Sequence, residues 1–285
     1  MDVSIGLPST IPGAEGSQIL EWAKRADRAA FLSLGVIDRL VYSNDEPLIT
    51  LAAAAAATER IKLLTAIAIL PYRVNAALFA KQAASIQHLS GNRLVLGLGL
   101  GGREDDYEAG GVPFAGRGRR FEKMLVDALG VWSGEPRGDA GAIGPTPPVR
   151  PGLLIGGQSP RSFQRAAEHA DGWIAGGAPP EAFGPAAAQV KAAWEAHGRQ
   201  GRPRLAALGY FSLGSEAHAH ADSYLRHYYA FAGAYAEQVV AGALTDDKAV
   251  RDAVAAFAEA GCDELVLFPC NPEPGQVDLL ADAIG

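Results

Sequence analysis

Eight short apolar runs separated by helical stretches constrain the fold of this 285-residue chain more than any other feature. The runs are Val3–Leu7, Gly35–Ile37, Ile61–Ile69, Arg93–Gly99, Leu153–Ile155, Gly172–Ala175, Leu205–Leu213 and Glu264–Phe268. Most are apolar at nearly every position, as strands buried on both faces should be. Between them lie Ser17–Leu32, Pro47–Thr58, Ala76–Leu89, Gly118–Trp132, Pro160–Ala170, Pro180–His197, Glu216–Val240 and Asp246–Ala260, where apolar residues recur at three and four. Ser159-Pro160 reads as an N-cap followed by Pro at the first helical position. Thr245 precedes Asp246 and Asp247, which suit a first helical turn, and Gly261 reads as a helix stop. Strands and helices alternating over this length predict an α/β fold, a (β/α)8 TIM barrel, whose usual size is about 250 residues. The rival, a doubly wound open sheet, is generally shorter. No linker divides the chain, so residues 1–285 are expected to form a single domain. The Gly- and Pro-rich stretch from Ser133 to Gly152 reads as a surface loop after the fourth helix.

Charge narrows the partners. Lys+Arg is 25 and Asp+Glu is 32, a net charge of -7, which argues against a general nucleic-acid binder. A local phosphate site stays open. The apolar runs fall far short of the ~20 residues of a membrane span, so no membrane partner is expected. Met1-Asp2-Val3 opens the chain without a basic region or long apolar stretch, so a cytoplasmic protein is expected. Cys262 and Cys270 flank Leu265–Phe268. In a strand they stand roughly 26 Å apart, too far for a disulfide. No metal site is expected: His218 and His220 are two apart, and no Cys/His ligand spacing occurs. G-x-S-x-G is also missing, which argues against a serine hydrolase.

Several residues at strand ends could carry chemistry. Gly97-Leu-Gly-Leu-Gly-Gly102 has G-x-G-x-x-G spacing, but no helix follows at once. Gly99 and Gly101 more plausibly let a flat ligand approach the backbone. Gly156-Gly157-Gln158-Ser159 lies between a strand and a helix start, where free N–H groups bind phosphate; a tight turn capped by Ser159 is the simpler alternative. Asp38-Arg39 ends the second strand, and Tyr72-Arg73 follows the third. A buried Asp–Arg pair holding a loop and a catalytic role compete there. Glu104, Asp105 and Asp106 read as an exposed acidic turn, with Glu104 a candidate acid or base. Tyr224, Tyr228, Tyr229, Phe231 and Tyr235 form an aromatic-rich helical stretch, read as core or dimer packing.

Four stretches together resemble the bacterial luciferase-like family of flavin- and deazaflavin-dependent oxidoreductases. They are Asp38-Arg39 with Glu46-Pro47-Leu48 through Leu63; Leu89-Ser-Gly-Asn-Arg93 into Gly97–Gly101, Arg103–Tyr107, Gly111–Phe114 and Arg117, Arg119, Arg120; Leu154–Pro160; and Ala170-Asp-Gly-Trp173. The resemblance implies a barrel with an isoalloxazine or deazaflavin ring at its C-terminal mouth. The cofactor is then coenzyme F420 or FMN, its phosphate on Gly156, Gly157, Gln158 and Ser159. It further implies a non-prolyl cis peptide after the third strand, at Ala66–Ile67, whose bulge backs the ring. Luciferase proper holds the FMN phosphate with an arginine where this chain has Leu100, and many F420 enzymes have Asp-His where it has Asp38-Arg39. The 133–152 loop looks shorter than the usual insertion, which suggests an open active site. The expected function is an oxidoreductase that reduces or monooxygenates a small organic substrate, as a homodimer, with Asp38, Arg39 and Glu104 at the ring edge or substrate. A barrel lyase or isomerase with a phosphorylated substrate on Gly156-Gly157 is the alternative, and a non-catalytic flavin-binding protein the third.

Overall fold

A computed structural model describes residues 1–285. The strands are β1 Asp2–Gly6, β2 Ser33–Val36, β3 Lys62–Ile69, β4 Leu94–Gly99, β5 Gly152–Gly156, β6 Gly172–Ala175, β7 Arg204–Phe211 and β8 Glu264–Pro269. Each runs parallel to the next in chain order, and β8 returns to β1 with Ile5 opposite Leu267. The sheet thus closes into the expected (β/α)8 barrel.

Alternation along each strand sorts the side chains. Leu64, Val95, Leu154, Ile174, Ala206 and Val266 cluster inside the barrel. Leu63, Leu94, Leu153, Trp173, Leu205 and Leu265 pack outward beneath the helices. Burial on both faces is why the strands read as continuous apolar runs.

The helices are α1 Gly16–Arg28, α2 Pro47–Ala57, α3 Ala76–Leu89, α4 Glu104–Ala109, α5 Arg117–Trp132, α6 Pro160–His169, α7 Pro180–Ala196, α8 Ala217–Tyr228, α9 Ala234–Ala241, α10 Asp247–Glu259 and α11 Gly275–Ile284. Ser159 caps α6 by accepting from the Ser162 N–H. Asp246 is itself the N-cap of α10, with Oδ1 accepting from the Ala249 N–H at 2.8 Å.

The structure departs from the sequence expectation in three places. Two of the anticipated helical stretches fall between β7 and β8, and the helix that completes the last unit is α11. That helix has ten residues, with Val277, Leu280 and Ala283 buried, and it follows a proline-broken turn that obscures its start. The 216–240 stretch is two helices rather than one. A 3-10 turn at Ala230–Ala232 and Gly233, with φ +55°, separate α8 from α9. Finally, the 133–152 loop joins the end of α5 to the start of β5. It lies at the barrel end opposite the mouth, so its length has no bearing on how open the site is.

Candidate active site

The floor of the mouth is built on β3. The register between β3 and β4 shifts between Thr65 and Ala68, and the Ala66–Ile67 peptide is cis, at the bond the resemblance indicates. Ile67 projects over three neighbouring strand ends. A Cβ would stand 3.0 Å from Ile67 Cγ2 at Gly99, 2.6 Å from Ile67 Cδ1 at Gly156 and 3.9 Å from it at Gly176. A Cβ at Gly97 would meet the Thr65 carbonyl oxygen at 2.3 Å. At Gly101, where φ is +67°, it would meet Ile69 at 3.0 Å. The G-x-G-x-x-G spacing therefore serves close strand contact and a tight turn, but contrary to expectation a helix follows almost at once: α4 begins at Glu104, with Arg103 as its N-cap. The Tyr107 hydroxyl donates to the Leu100 carbonyl and fixes that turn. Burial pushes its pKa up to about 12.

At the end of β5 the chain forms a cradle of backbone amides. The amide N–H groups of Gly157, Gln158, Ser159 and Arg161 donate to no backbone carbonyl. Gly157 adopts φ +114°, and a Cβ there would press on Ser162 Oγ at 2.6 Å. Its carbonyl accepts from Trp173 Nε1 at 2.7 Å, which anchors the loop to β6. The hydroxyls of Ser159 and Ser162 lie 2.9 Å apart. One turn on, Arg165 is buried on the same face of α6 as Ser162. Its guanidinium lies against the start of α5, with Nη2 3.1 Å from where a Cβ at Gly118 would stand and the group 5.7 Å from the Phe121 ring. Its Nε donates to Glu122 Oε1 at 3.0 Å, while its terminal nitrogens have no protein acceptor. Arg161 and Arg165 hold the Glu122 carboxyl below the usual range. Sequence reasoning missed Arg165 and Trp173. The signal was an arginine placed three residues after Ser162 and therefore on the face of α6 that carries the Ser159–Ser162 cap.

The Asp38 and Arg39 side chains are both buried but serve different loops. Asp38 Oδ2 accepts from the Ile69 N–H at 2.8 Å and from Arg73 at 2.9 Å, and Oδ1 accepts from the Tyr72 hydroxyl at 2.5 Å. The buried Asp–Arg pair thus exists, but its arginine is Arg73. Burial opposes the Arg73 charge, but Asp38, Tyr72 and Glu46 outweigh it and raise the Arg73 pKa. Arg39 instead donates to the Tyr228 carbonyl at 2.9 Å and the Val41 carbonyl at 3.2 Å, and lies over the Tyr42 ring at 4.3 Å. The acidic trio is α4, not a loose turn. Asp106 is buried and its Oδ1 accepts from the Leu40 and Val41 N–H groups at 3.0 and 2.7 Å. Glu104 is exposed on the first turn of α4 and joins none of these contacts.

The α8–α9 segment reaches across the mouth. Tyr210 of β7 packs with Tyr224 and Tyr229, and its hydroxyl lies 2.8 Å from that of Tyr229. These tyrosines are core, as anticipated. Phe231 is exposed and sits under Arg103 at 4.0 Å and Arg39 at 5.3 Å. Tyr235 donates to the Gly177 carbonyl at 3.0 Å. The segment therefore touches the loops after β2, β4 and β6.

A luciferase-like monooxygenase family model matches residues 1–265. The chain belongs to this family. Among curated relatives, an uncharacterized protein of Mycobacterium tuberculosis is 32% identical over 209 residues, covering 62% of this chain and 71% of the relative. The F420-dependent hydroxymycolic acid dehydrogenase of the same organism is 28% identical over 176 residues, covering 55% and 48%. Among solved structures, an F420-dependent secondary alcohol dehydrogenase in complex with an F420-acetone adduct superposes with a TM-score of 0.82 at 17% identity, covering 100% of each chain. The oxygenating constituent of a 3,6-diketocamphane monooxygenase from Pseudomonas putida, in complex with FMN, gives 0.75 at 18% identity, covering 99% and 96%. These two structures share the luciferase-like barrel with this chain; one carries a deazaflavin, the other a flavin. No helix is long and apolar enough to cross a membrane.

Proposed function

We propose that this protein is an oxidoreductase that uses coenzyme F420, with FMN as the second cofactor to test, on a small organic substrate at the barrel mouth. The observation that carries the reading is the anion cradle at the start of α6. Its free amides, paired hydroxyls and buried Arg165 suit a cofactor phosphate. Arg165 also supplies the cation that Leu100 withholds. Ile67, with Gly99, Gly101, Gly156 and Gly176 around it, offers an uncluttered surface for a flat ring. Bound there, F420 supplies hydride transfer, and FMN supplies either hydride transfer or oxygen activation.

The chain's own residues orient and enclose. Asp38 is a positioning residue that ties β2 to the turn after β3. Arg39 and Asp106 fix the loop after β2, and Phe231 and Tyr235 restrict water at the mouth. Glu104, exposed, is a proton carrier only for a substrate that reaches α4. The same reading takes the protein as a homodimer.

The test is titration of the protein with F420 and FMN side by side, following absorbance and fluorescence quenching, then turnover under reducing conditions. Saturable binding of F420 that weakens in Arg165→Met supports the reading. Failure to bind either cofactor overturns it and favours a lyase or isomerase on a phosphorylated substrate. Binding without turnover of any ketone or aldehyde by the reduced cofactor, or of any alcohol by the oxidised one, reduces the protein to a carrier.

A further inference from the structure

Two arginines at the lip of the mouth carry N–H groups that the protein leaves unanswered. Arg39 follows β2 and Arg103 follows β4, on either side of the β3 bulge that carries Ile67. Both stand at C-terminal strand ends, where barrel sites lie. Arg39 is only 9% exposed. Its terminal nitrogens donate to the Tyr228 and Val41 carbonyls, which are neutral, and its Nε is buried without an acceptor. The adjacent carboxylate, Asp38, is committed to Arg73. A buried cation without a counter-charge is costly to keep. Arg103 donates to Asp105 through Nη2, but its Nε and Nη1 are buried without an acceptor, and Asp106 Oδ2 stands 3.6 Å from Nε.

One ring covers both groups. Phe231 lies 4.0 Å from the Arg103 guanidinium carbon and 5.3 Å from that of Arg39. Tyr229, stacked on it at 6.1 Å, packs against the same inner cluster as Ile67. Phe231 itself is 55% exposed, in the 3-10 turn Ala230–Ala232 that has no buried residue. A ring with half its surface in water gains little from burial. What it gains is attraction between its negative face and two cations. The ring thus stands where an acceptor belongs. A carboxylate fits better, because its planar pair of oxygens matches the fork of a guanidinium. A neutral alcohol or ketone would displace the ring without replacing its attraction.

We infer that the substrate is a small carboxylic acid, its carboxylate held by Arg39 and Arg103 once Phe231 swings aside, and its reacting carbon directed toward Ile67. The anion seat stands on the two arginines and the ring that covers them; that its occupant is the substrate rests on the proposed function.

The experiment is calorimetric titration of the full chain, without cofactor, with 2-oxohexanoate, 4-oxopentanoate and 5-oxohexanoate, each beside its methyl ester. At least one acid is expected to bind about tenfold tighter than its ester, with the preference shrinking as salt rises. Arg39→Met and Arg103→Met should each remove most of that preference. Arg165→Met should leave it intact, which separates the seat from the cradle on α6. Phe231→Ala should raise affinity for the acid about two- to fivefold and leave the ester unchanged, because the ring no longer competes. If Arg39→Met fails to fold, Arg103→Met and Phe231→Ala decide. Equal affinity of acid and ester throughout the series, a preference that survives Arg103→Met, or weaker acid binding in Phe231→Ala overturns the anion seat. With reduced cofactor bound, the preferred acid should be converted to its hydroxy acid, the carbonyl carbon taking the hydride and its oxygen a proton from water. Arg103→Met should then raise KM about tenfold at nearly unchanged kcat. Reduction of the esters but not of the acids overturns the substrate link. Failure of cofactor binding with the acid preference intact overturns the proposed function alone.

Discussion

Arg165 and Asp38 show how a buried charge answers to its surroundings. Arg165 is buried with only its Nε engaged, whereas Asp38 has both carboxylate oxygens occupied by the turn after β3. Arg165→Met is therefore expected to keep the fold and lower affinity for the phosphorylated cofactor about 10- to 100-fold, the worth of a charge-assisted hydrogen bond. Cofactor titration and thermal unfolding run on the same sample check both halves. Asp38→Asn should do the reverse. It breaks a buried ion pair and should lower stability by about 3 kcal/mol, read as a lower urea midpoint at unchanged slope. Wild-type stability in that variant would show that the Asp38 contacts do not hold the loop.

At the scale of elements, the strands and most helices were legible because both use simple periods. Leu94-Val-Leu96 reads as a strand since it is buried on both faces, and α6 reads as a helix since Ser159-Pro160 announces it. The break at Gly233 was not, because nothing in the local pattern says that Tyr228 and Tyr229 turn toward Tyr210, a contact between distant segments. The partner of Asp38 was hidden for the same reason: Arg73 is 35 residues away. Asp27 makes a similar long-range tie, accepting from the Glu59, Arg60 and Ile61 N–H groups where α2 turns into β3. Burial alone would raise its pKa, yet these three donors outweigh it and hold the carboxyl below its ordinary value. A depressed folded pKa stabilises above the unfolded value and fades as pH falls through the folded one. Asp27→Ala is expected to cost about 1–2 kcal/mol at pH 7. That difference should shrink below about pH 4. Urea unfolding at pH 7 and pH 3 measures it, and an equal difference at both would refute the ionic account.

Taken whole, the barrel leaves an apolar rim on one side. Ile49 of α2, Val74 in the turn before α3 and Leu78 of α3 are 64%, 64% and 53% exposed. The proposed homodimer places this rim against its copy, in a two-fold contact that buries the same side chains twice. Ile49→Lys with Leu78→Lys should shift the light-scattering mass at micromolar concentration from two chains toward one without changing the unfolding midpoint of the monomer. A wild-type mass of one chain would end that proposal. The interlock at the mouth has a consequence in time rather than in space. Ile67 occupies the room that Gly99 and Gly156 leave vacant, so neither side can change alone. Gly156→Ala should damage folding, and Ile67→Ala should rescue it in the double variant, with an interaction of about 1–3 kcal/mol by double-mutant cycle. Descendants of this sequence that acquire a side chain at position 156 are then expected to carry a smaller residue at 67, so that the two positions are inherited as a pair.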